Sequence, residues 1–366
     1  MGGEMRVGIV GMGTISDAYL RTLPRLKNVR VVAVADLDPS RAEAVAARRL
    51  GVRAATTTEL CAATDVDLVL NLTTPAAHAE VAHAAIAGRK HVYGEKPLAL
   101  NTTEGRGILT AAAEAGVRVG CAPDTVLGTG VQTARASLDS GIIGTPFAAT
   151  AFMVTPGHER WHPSPEFYYR PGGGPLMDMG PYYLTTLVTL LGPVSRVQGM
   201  AVTPRPTRTI GTGPRAKTTF GVNVETHLTG VLQHVNGALS TLIMSFDVWA
   251  GKLPRIEVYG TEGSLSVPDP NGFGGTAQVY REAAPMWTDV RESGGFPDAS
   301  RGYGVADMAR AIAGGVPHRA DGELAFHILD VMESLLAAVD SGVAVDVESR
   351  CERPAAVPFA ARPERD

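Results

Sequence analysis

Glycine and aspartate residues near the start of the sequence have types and a spacing that suit a dinucleotide. The segment Gly11–Ser16 reads GMGTIS and follows a short apolar run, and Asp36 stands about 20 residues beyond it. Gly11 permits a tight turn, and Gly13 lets the backbone approach a pyrophosphate at the start of the next helix. A carboxylate at Asp36 can accept hydrogen bonds from the adenosine ribose. The alternatives are an ordinary tight turn at the glycines and a simple turn start at Asp36.

The charge of Asp36 also bears on which dinucleotide binds. A carboxylate repels the 2′-phosphate of NADP and accepts hydrogen bonds from the free ribose hydroxyls of NAD. We therefore predict NAD as the cofactor, with NADP as the alternative. The cofactor residues predicted in this region are Gly11, Gly13, Thr14, Ile15 and Asp36.

Lys96 is a candidate for the chemical step because lysine is rare in this chain. The only lysines are Lys27, Lys90, Lys96, Lys217 and Lys252. Lys96 follows a predicted parallel strand, at the sheet edge where ligands of doubly wound folds bind. Its flexible ammonium could hydrogen-bond both the nicotinamide ribose and a reacting hydroxyl. The alternative is a surface lysine that merely precedes a proline.

The elements that must position these residues form two patterns, of which the first ends near residue 121. Strands are predicted at Arg6–Val10, Arg30–Ala35, Leu68–Leu72, Lys90–Tyr93 and Val117–Cys121. Amphipathic helical stretches separate these apolar runs, as in successive β-α-β units. We predict an α/β Rossmann domain, a doubly wound parallel sheet, at residues 1–124.

Longer, alternating strands follow this region, with further helices between them. The predicted elements are Thr129–Ser140, 145–155, Pro181–Leu191, Val222–Gln233, Ala238–Val248, Arg255–Tyr259, Ser264–Val267, Gly304–Ala313 and Glu323–Ser341. They indicate an α+β domain at 125–348, with a large, mostly antiparallel, open-faced sheet, and a poorly ordered tail at 349–366. Because Ala238–Val248 carries apolar residues on both sides, we expect a second subunit to cover that face, in a homodimer or homotetramer.

Composition argues against several classes of partner and site. The formal net charge of −4 gives no basic surface for nucleic acid. Cys61, Cys121 and Cys351 form no closely spaced pair, which argues against a disulfide framework or a cysteine zinc site. The sequence shows no leader pattern and no apolar run long enough to cross a membrane, so a cytoplasmic protein without membrane association is expected.

Two further segments give the chain a specific resemblance to a known family. They are TTPAAHAE at Thr73–Glu80 and GEKP at Gly94–Pro97. Together with the glycine motif and the GGGPLMDMG segment at Gly172–Gly180, they make the chain resemble the Gfo/Idh/MocA oxidoreductases, which include glucose-fructose oxidoreductase and inositol dehydrogenase. The resemblance covers nearly the whole chain. It implies that Glu95 and Lys96 hold the nicotinamide ribose, with Lys96 also touching the substrate.

The same resemblance implies further residue roles. Thr73, Pro75 and His78 would line the cofactor, although His78 also suits a structural histidine at a helix start. Most relatives carry D-x-G-x-H with Asp and His facing the substrate, whereas this chain has Asp178 followed by Tyr182, as in the glucose-fructose oxidoreductase and dihydrodiol dehydrogenase branches. This tyrosine-type site implies Lys96, Asp178 and Tyr182 as the catalytic residues.

The predicted helix start at Pro181 bears on the chemistry of Tyr182. If Pro181 is the first helical residue, Tyr182 lies in the first turn, where the helix dipole and a nearby Lys96 ammonium favour a phenolate. The tyrosine could then act as a base. The alternative is that Tyr182 is a half-buried packing residue.

Substrate contacts are expected from two loops as well as from the D-x-G segment. Asp124 stands where the family usually has Arg or Asn, and an acidic acceptor suits a neutral substrate with several hydroxyls. The aromatic stretch after residue 160 offers flat faces for a sugar ring, or an anchor for its own loop. The predicted substrate-binding residues are Asp124, Trp161, His162, Tyr168, Asp178 and Tyr182.

Residues 158–162 also match the HExxH zinc-protease pattern, which needs both histidines on one helical face. Pro156 and Gly157 before the pattern, and Pro163 after it, disfavour a helix there. No metal site is predicted.

These features favour an NAD-dependent dehydrogenase that moves a hydride between nicotinamide and a ring hydroxyl or ketone of a sugar, glycoside or cyclitol. Two alternatives remain open from the sequence. One is a lyase or hydrolase that cleaves a glycoside while NAD stays bound, and the other is a non-catalytic dinucleotide sensor.

Overall fold

The computed structural model describes residues 4–359, 361 and 363, and the chain divides into two compact units. The first unit contains Met1–Thr129, Gly295–Leu329 and Pro354–Asp366. The second unit contains Gly130–Gly294 and Asp330–Arg353. This division differs from the predicted 1–124, 125–348 and 349–366, because two later segments return to the first unit.

The first unit is built on a six-stranded parallel sheet, as predicted. Its strands are β1 (Met5–Val10), β2 (Val29–Ala35), β3 (Arg53–Ala54), β4 (Leu68–Asn71), β5 (His91–Gly94) and β6 (Val119–Cys121). Their order is β3-β2-β1-β4-β5-β6. Strands β2 and β3 are added on one side of β1 and strands β4 to β6 on the other, so the strand order reverses between β1 and β4. In folds of this kind ligands bind at the carboxyl ends of the strands beside that reversal.

Five helices connect these strands. They are α1 (Ser16–Thr22), α2 (Pro39–Ala46), α3 (Thr57–Ala62), α4 (His78–Ala87) and α5 (Thr102–Ala115). The central strands are buried on both sides, since the consecutive residues Ile9 and Val10 of β1, and Val69 and Leu70 of β4, are all buried. This explains the non-alternating apolar runs in the sequence.

The second unit is built on a nine-stranded sheet that starts after helix α6 (Thr129–Asp139). Its strands are β7 (Pro146–Val154), β8 (Val194–Val202), β11 (His227–His234), β12 (Leu239–Ser245), β13 (Ile256–Gly260), β14 (Gly263–Val267), β15 (Gln278–Arg281), β16 (Ala284–Asp289) and β17 (Val345–Asp346). Strands β9 (Thr207–Thr209) and β10 (Thr219–Gly221) pair separately. The order of the large sheet is β16-β15-β14-β13-β7-β12-β11-β8-β17. Only β7 and β12 pair in parallel, so the sheet is mostly antiparallel, as predicted.

One face of this sheet is buried and the other is exposed. In β11, Leu228 and Leu232 are buried whereas Val231 is exposed, which is the alternation of a strand with one solvated face. Helix α7 (Gly174–Leu191) packs on the buried face against β7, β11 and β12. Large apolar side chains exposed on the strands include Met200, Val202, Val231 and Leu239.

The start of α7 corrects one sequence prediction. The helix begins at Gly174, with Pro175 in its first turn, and Pro181 lies inside it. Both prolines suit a helix start, since a first-turn residue needs no intrahelical N–H bond. In the structure Pro175 takes that place, and the helix continues through Pro181. Tyr182 therefore lies about two turns inside the helix, since a turn is 3.6 residues. The predicted effect of the helix dipole on Tyr182 is wrong, because that field is confined to the first turn.

Two late helices complete the fold, α8 (Tyr303–Ala313) and α9 (Gly322–Ser341). The segment around α8 belongs to the first unit because its backbone bonds to strand β6 and the loop beyond it. Cys121 N donates to Ala320 O at 3.1 Å, and Phe296 N donates to Leu127 O at 2.9 Å. Among the described residues, no helix combines the length and the apolar composition that crossing a membrane requires.

The prediction of a poorly ordered tail at 349–366 is also corrected in its described part. Val357 is buried, and its carbonyl accepts from Gly295 N at 2.9 Å. The carbonyl of Pro363 accepts from Lys27 N at 2.6 Å. Proline and arginine content indicated a loose tail, but an extended segment needs only such isolated backbone bonds to be held against a folded unit.

Candidate active site

The glycine motif forms a tight loop between β1 and α1. Gly11 has φ of +100°, and a Cβ on it would lie 2.6 Å from Leu72 O, so only glycine fits. Gly13 is exposed, and a Cβ on it would meet no atom within 4 Å. Thr14 is exposed and Ile15 half-buried. The space over Gly13 suits the close approach of a pyrophosphate.

Asp36 lies at the end of β2 and is oriented by the backbone of this loop. Its Oδ2 accepts from Met12 N at 2.6 Å, and its Oδ1 accepts from Asp38 N at 2.9 Å. Each carboxylate oxygen retains a second lone pair for a ribose hydroxyl. The next residue, Leu37, is 99% exposed, so the following position offers no cation for a 2′-phosphate. The residues of this loop fit NAD.

Glu95 and Lys96 follow β5. The Glu95 carboxylate accepts a hydrogen bond from a tyrosine of α1 that the sequence did not indicate as its partner. Tyr19 Oη donates to Glu95 Oε1 at 2.8 Å, and Lys96 N donates to Glu95 Oε2 at 3.3 Å. Burial raises the pKa of Tyr19 well above its ordinary value, so its hydroxyl stays protonated and continues to donate. Glu95 is buried and Lys96 is half-buried.

His78 joins the loops that follow β4 and β5. Its Nδ1 lies 2.7 Å from Pro97 O, and its Nε2 lies 3.1 Å from Thr73 O. Burial lowers the pKa of His78, so the ring is neutral and carries one N–H. The single N–H can donate to only one of these two carbonyls, although both ring nitrogens face one. His78 shapes the loops through their backbone, which is the structural alternative left open by the sequence.

The other two predicted residues of the β4 loop lie beside His78. Thr73 is half-buried and its Oγ1 donates to Asn71 Oδ1 at 2.6 Å. Pro75 is half-buried and begins the 3-10 turn Pro75–Ala77 that leads into α4. A proline suits that place because its ring sets the backbone angle of a first helical residue.

Asp124 does not have the exposure that substrate binding requires. Its side chain is fully buried, and its Oδ2 accepts from Gly302 N at 2.9 Å and Gly304 N at 3.1 Å. Arg301 lies 3.6 Å from its Oδ1. Burial raises the pKa of Asp124 despite that arginine. The prediction for Asp124 is corrected: this carboxylate holds the start of α8.

The predicted aromatic contacts lie together in the second unit. The rings of Trp161, His162 and Tyr168 have centroids 5.5 to 6.4 Å apart. Trp161 is 58% exposed, so it offers an accessible ring face. Residues 158–160 form a 3-10 turn, which confirms that the zinc-protease helix is not formed.

His158 contacts Asp178, and the sequence did not predict this pair. His158 Nε2 lies 3.0 Å from Asp178 Oδ2, and the side chains are 10% and 17% exposed. The HExxH match had drawn attention to His158 as a metal ligand, but no spacing rule relates it to Asp178. We call His158, Trp161, Tyr168 and Asp178 the His158 cluster.

A buried ionic network supports the loop that carries His158. Arg208 Nη1 lies 3.2 Å from Glu159 Oε1, and Arg208 Nη2 lies 2.8 Å from Asp247 Oδ1. Tyr169 Oη donates to Glu159 and accepts from His158 N at 3.1 Å. Burial and the Glu159 carboxylate raise the pKa of Tyr169, so its hydroxyl stays protonated.

Tyr182 lies on the same helix as Asp178, four residues further on. Positions four apart share one helix face, so the two side chains leave α7 on the same side. Tyr182 is 6% exposed. It is a largely buried phenol rather than one at a helix terminus.

Comparisons with known proteins place both units in the same group. A family described as "Oxidoreductase family, NAD-binding Rossmann fold" matches residues 5–122. The "GFO/IDH/MocA C-terminal domain" matches residues 131–266. Together the two matches cover most of the chain.

Individual relatives are similar over nearly their whole length. A 1,5-anhydro-D-fructose reductase from Ensifer adhaerens is 28% identical over 84% of this chain and 94% of its own. Inositol 2-dehydrogenase 3 from Saccharopolyspora erythraea is 28% identical over 94% of this chain and 95% of its own. An NAD-binding oxidoreductase from Klebsiella pneumoniae has a similar structure, with a TM-score of 0.78 and 26% identity over 94% of this chain and 99% of that one.

Proposed function

Because this chain belongs to the GFO/IDH/MocA family of NAD-binding oxidoreductases, we propose that it oxidises or reduces one ring position of a small polyhydroxylated molecule. The substrate class is a sugar, glycoside or cyclitol. Two relatives that match along most of their length are named for an anhydro sugar and for inositol, which are both uncharged polyhydroxylated rings.

The observation that carries this proposal is the position of Lys96 beside Glu95, at the carboxyl end of β5. The loop is held on both sides, by Tyr19 through Glu95 and by His78 through Pro97. Such support fixes where an ammonium can reach. When bound, NAD supplies the nicotinamide carbon that accepts or donates the hydride. Glu95 and Lys96 bind its ribose, and Lys96 polarises the reacting hydroxyl.

The second unit provides the groups that bind substrate in this proposal. Asp178 accepts a hydrogen bond from a substrate hydroxyl, and Tyr182 relays the proton. Trp161, His162 and Tyr168 bind the ring through aromatic faces and polar tips, as carbohydrate sites commonly do. The acidic Asp124, which was expected to select a neutral substrate, has no part in this proposal because it is buried.

A substrate panel tests the proposed function. We would incubate the protein with NAD and myo-inositol, D-xylose, D-glucose or methyl glucoside, and separately with NADH and 1,5-anhydro-D-fructose. Formation or consumption of NADH on one of these rings is the expected result. Binding of NAD with no change in any substrate would support a dinucleotide sensor, and cleavage of the methyl glucoside without net NADH would support NAD-retaining chemistry.

Two further parts of the proposal concern assembly and location. The exposed apolar residues Met200, Val202, Val231 and Leu239 suit burial against a second subunit, in a homodimer or homotetramer. Light scattering at micromolar concentration tests this, and a monomer would contradict it. A cytoplasmic location is proposed because Cys61, Cys121 and Cys351 are free thiols, as is usual in a reducing compartment.

A further inference from the structure

We propose that His158 is a positioning residue for Asp178, a neutral imidazole whose Nε2–H donates to that carboxylate and fixes its orientation towards substrate. The inference rests on the proposed function for the role of Asp178. It adds to that function a histidine that lies outside the D-x-G segment. The two residues are 20 positions apart and belong to a loop and a helix of the second unit.

The surroundings of the His158 ring leave it little freedom. Its centroid lies 4.3 Å from that of Phe246, 4.7 Å from Tyr168 and 5.1 Å from Trp161. The backbone N–H of His158 donates to Tyr169 Oη at 3.1 Å. Rings on three sides and a bonded backbone hold the imidazole so that Nε2 faces Asp178.

The hydrogen bonds of the ring decide its protonation state. Nδ1 is buried, and it has no hydrogen-bond partner among the described residues. An imidazolium would place an N–H donor there without an acceptor, at the full cost of desolvating that group. A neutral ring with its proton on Nδ1 would incur the same cost and would set a lone pair of Nε2 against the carboxylate. The neutral Nε2–H form makes the 3.0 Å contact with Asp178 Oδ2 and leaves no donor unpaired at Nδ1.

This assignment separates the roles of the two residues. Nδ1 is buried, so the ring has no second face through which to pass a proton, and His158 is not a proton relay. Its effect is to donate a hydrogen bond to Oδ2 of Asp178 and so to fix the orientation of that carboxylate. A hydrogen bond to the charged form lowers the pKa of a carboxyl group.

Other titratable groups near the pair are few, and they bear on any pH measurement. Tyr168 packs on the His158 ring, and Tyr182 stands one turn further along α7 from Asp178. Tyr169 Oη accepts a hydrogen bond from the His158 backbone N–H and donates one to the Glu159 carboxylate. His162 is a second imidazole of the same loop, in ring contact with Trp161 and Tyr168. It is unchanged in both His158 variants described below, so a difference between their acid limbs reports on the pair itself.

The first experiment needs no substrate. NMR of protein labelled with 15N in histidine should show His158 with a protonated Nε2 and an unprotonated Nδ1 at pH 7. Asp178→Asn should alter the Nε2 signal and leave the other histidines unchanged. A proton on Nδ1, or full protonation at pH 7, would overturn the proposal.

The second experiment compares two amides in place of the imidazole. His158→Gln puts an amide N–H close to the position of Nε2, whereas the shorter side chain of His158→Asn cannot reach Asp178. We expect kcat/KM to fall about tenfold to a hundredfold in His158→Asn, the range for losing a hydrogen bond to a charged group. Its acid limb should move up by about one pH unit, and His158→Gln should restore both. Equal acid limbs in the two variants would overturn the proposal, because a packing role would not distinguish them.

Failure of the inference and failure of the proposed function give different results. If Asp178→Asn keeps near-normal kcat/KM on the substrate found in the panel, Asp178 has no role in substrate binding and the proposed function loses that residue. If Asp178→Asn is inactive while His158→Asn matches the unmodified protein, only the positioning role of His158 is wrong. Thermal unfolding of each variant separates loss of folding from either outcome.

Discussion

The cofactor loops of the first unit and the His158 cluster of the second are held by different kinds of contact. In the first unit, Asp36 and His78 bond to backbone, Asp36 to Met12 N and His78 to two carbonyls, and the Tyr19–Glu95 bond is a side-chain exception. In the second unit, side chains bond to side chains: His158 to Asp178, and Arg208 to two buried carboxylates. Backbone contacts survive most substitutions of the residue that supplies the N–H or C=O.

The difference predicts how each region responds to change. Cofactor loops depend on chain geometry, which many sequences can satisfy once the glycines are in place. The His158 cluster depends on particular pairs, so one substitution leaves a buried partner without its bond. We therefore expect the second unit to be both the more fragile region and the easier one in which to alter substrate preference.

The largest effect is expected from Lys96, the one group of the first unit that we assign to chemistry as well as binding. Lys96→Met should lower kcat by about 10²–10⁴, the scale for losing a group that moves or polarises a proton. It should also weaken NAD binding. Lys252→Met, at an exposed position, is the matched control and should leave both unchanged. A near-normal kcat in Lys96→Met would mean that the second unit alone carries the chemistry.

The buried network of the second unit gives the next largest effect. Arg208→Met should lower the free energy of unfolding by about 3–5 kcal/mol, since it leaves Glu159 and Asp247 buried without their cation. Tryptophan fluorescence in urea reports on this unit, because Trp161, Trp249 and Trp287 all lie in it.

A matched pair of charges on the surface provides the control. Arg215 pairs with Glu166 but is 52% exposed, so Arg215→Met should cost less than about 1 kcal/mol. Equal losses of unfolding free energy in Arg208→Met and Arg215→Met would contradict the idea that the buried pairs make the second unit fragile.

Acid should act on the first unit through His318. Burial lowers the pKa of His318 from 6.5 to about 4. Between these values the unfolded chain binds a proton that the folded unit does not, so stability falls as the pH is lowered, by about 3 kcal/mol in full.

Hydrogen exchange measures this effect locally. His318 Nε2 lies 3.1 Å from Val119 O in β6, so exchange of β6 amides should accelerate between pH 6 and pH 4. His318→Gln keeps a hydrogen-bond donor but removes the titrating imidazole. It should therefore reduce the slope of the β6 exchange rate against pH. The remainder should come from His91 and His78, whose pKa values burial also lowers. An unchanged slope in His318→Gln would contradict the assignment.

The smallest expected effect is a change of cofactor preference. Asp36→Ser with Leu37→Arg replaces a carboxylate with a neutral hydroxyl and adds a guanidinium, which should shift the ratio of NAD to NADP affinity by about tenfold or more towards NADP. Titration of both dinucleotides measures it, with Leu37→Arg alone as the control. Equal affinities in the unmodified protein would remove the argument from Asp36.

The two regions also differ in how far sequence could predict them. The positions of Gly11, Asp36 and Lys96 follow from short segments and from the edge of a parallel sheet, so the predicted strand order was sufficient to locate them in the fold. His158 and Asp178 meet only because an irregular loop folds back on α7, and a segment without periodicity gives no register from which to predict such a contact.

Two corrections have related causes. Pro181 and Pro175 suit a helix start equally well by residue type, and only the packed helix shows which one begins it. Asp124 was predicted as a substrate contact from its place in the family pattern, and its actual partners are distant in sequence. Gly302 and Gly304 reach it only through the returning segment.

That returning segment has a consequence for the order in which the protein is made. A ribosome releases residues 1–129 first, but the first unit still lacks α8, and the buried carboxylate of Asp124 lacks both of its backbone donors. Residues 130–294 emerge in between and contain most of the second unit. The nascent first unit therefore has all six strands of its sheet but lacks α8 while more than a hundred residues are synthesised. Domains usually fold from the N-terminus during synthesis, whereas here the dinucleotide-binding half is completed late.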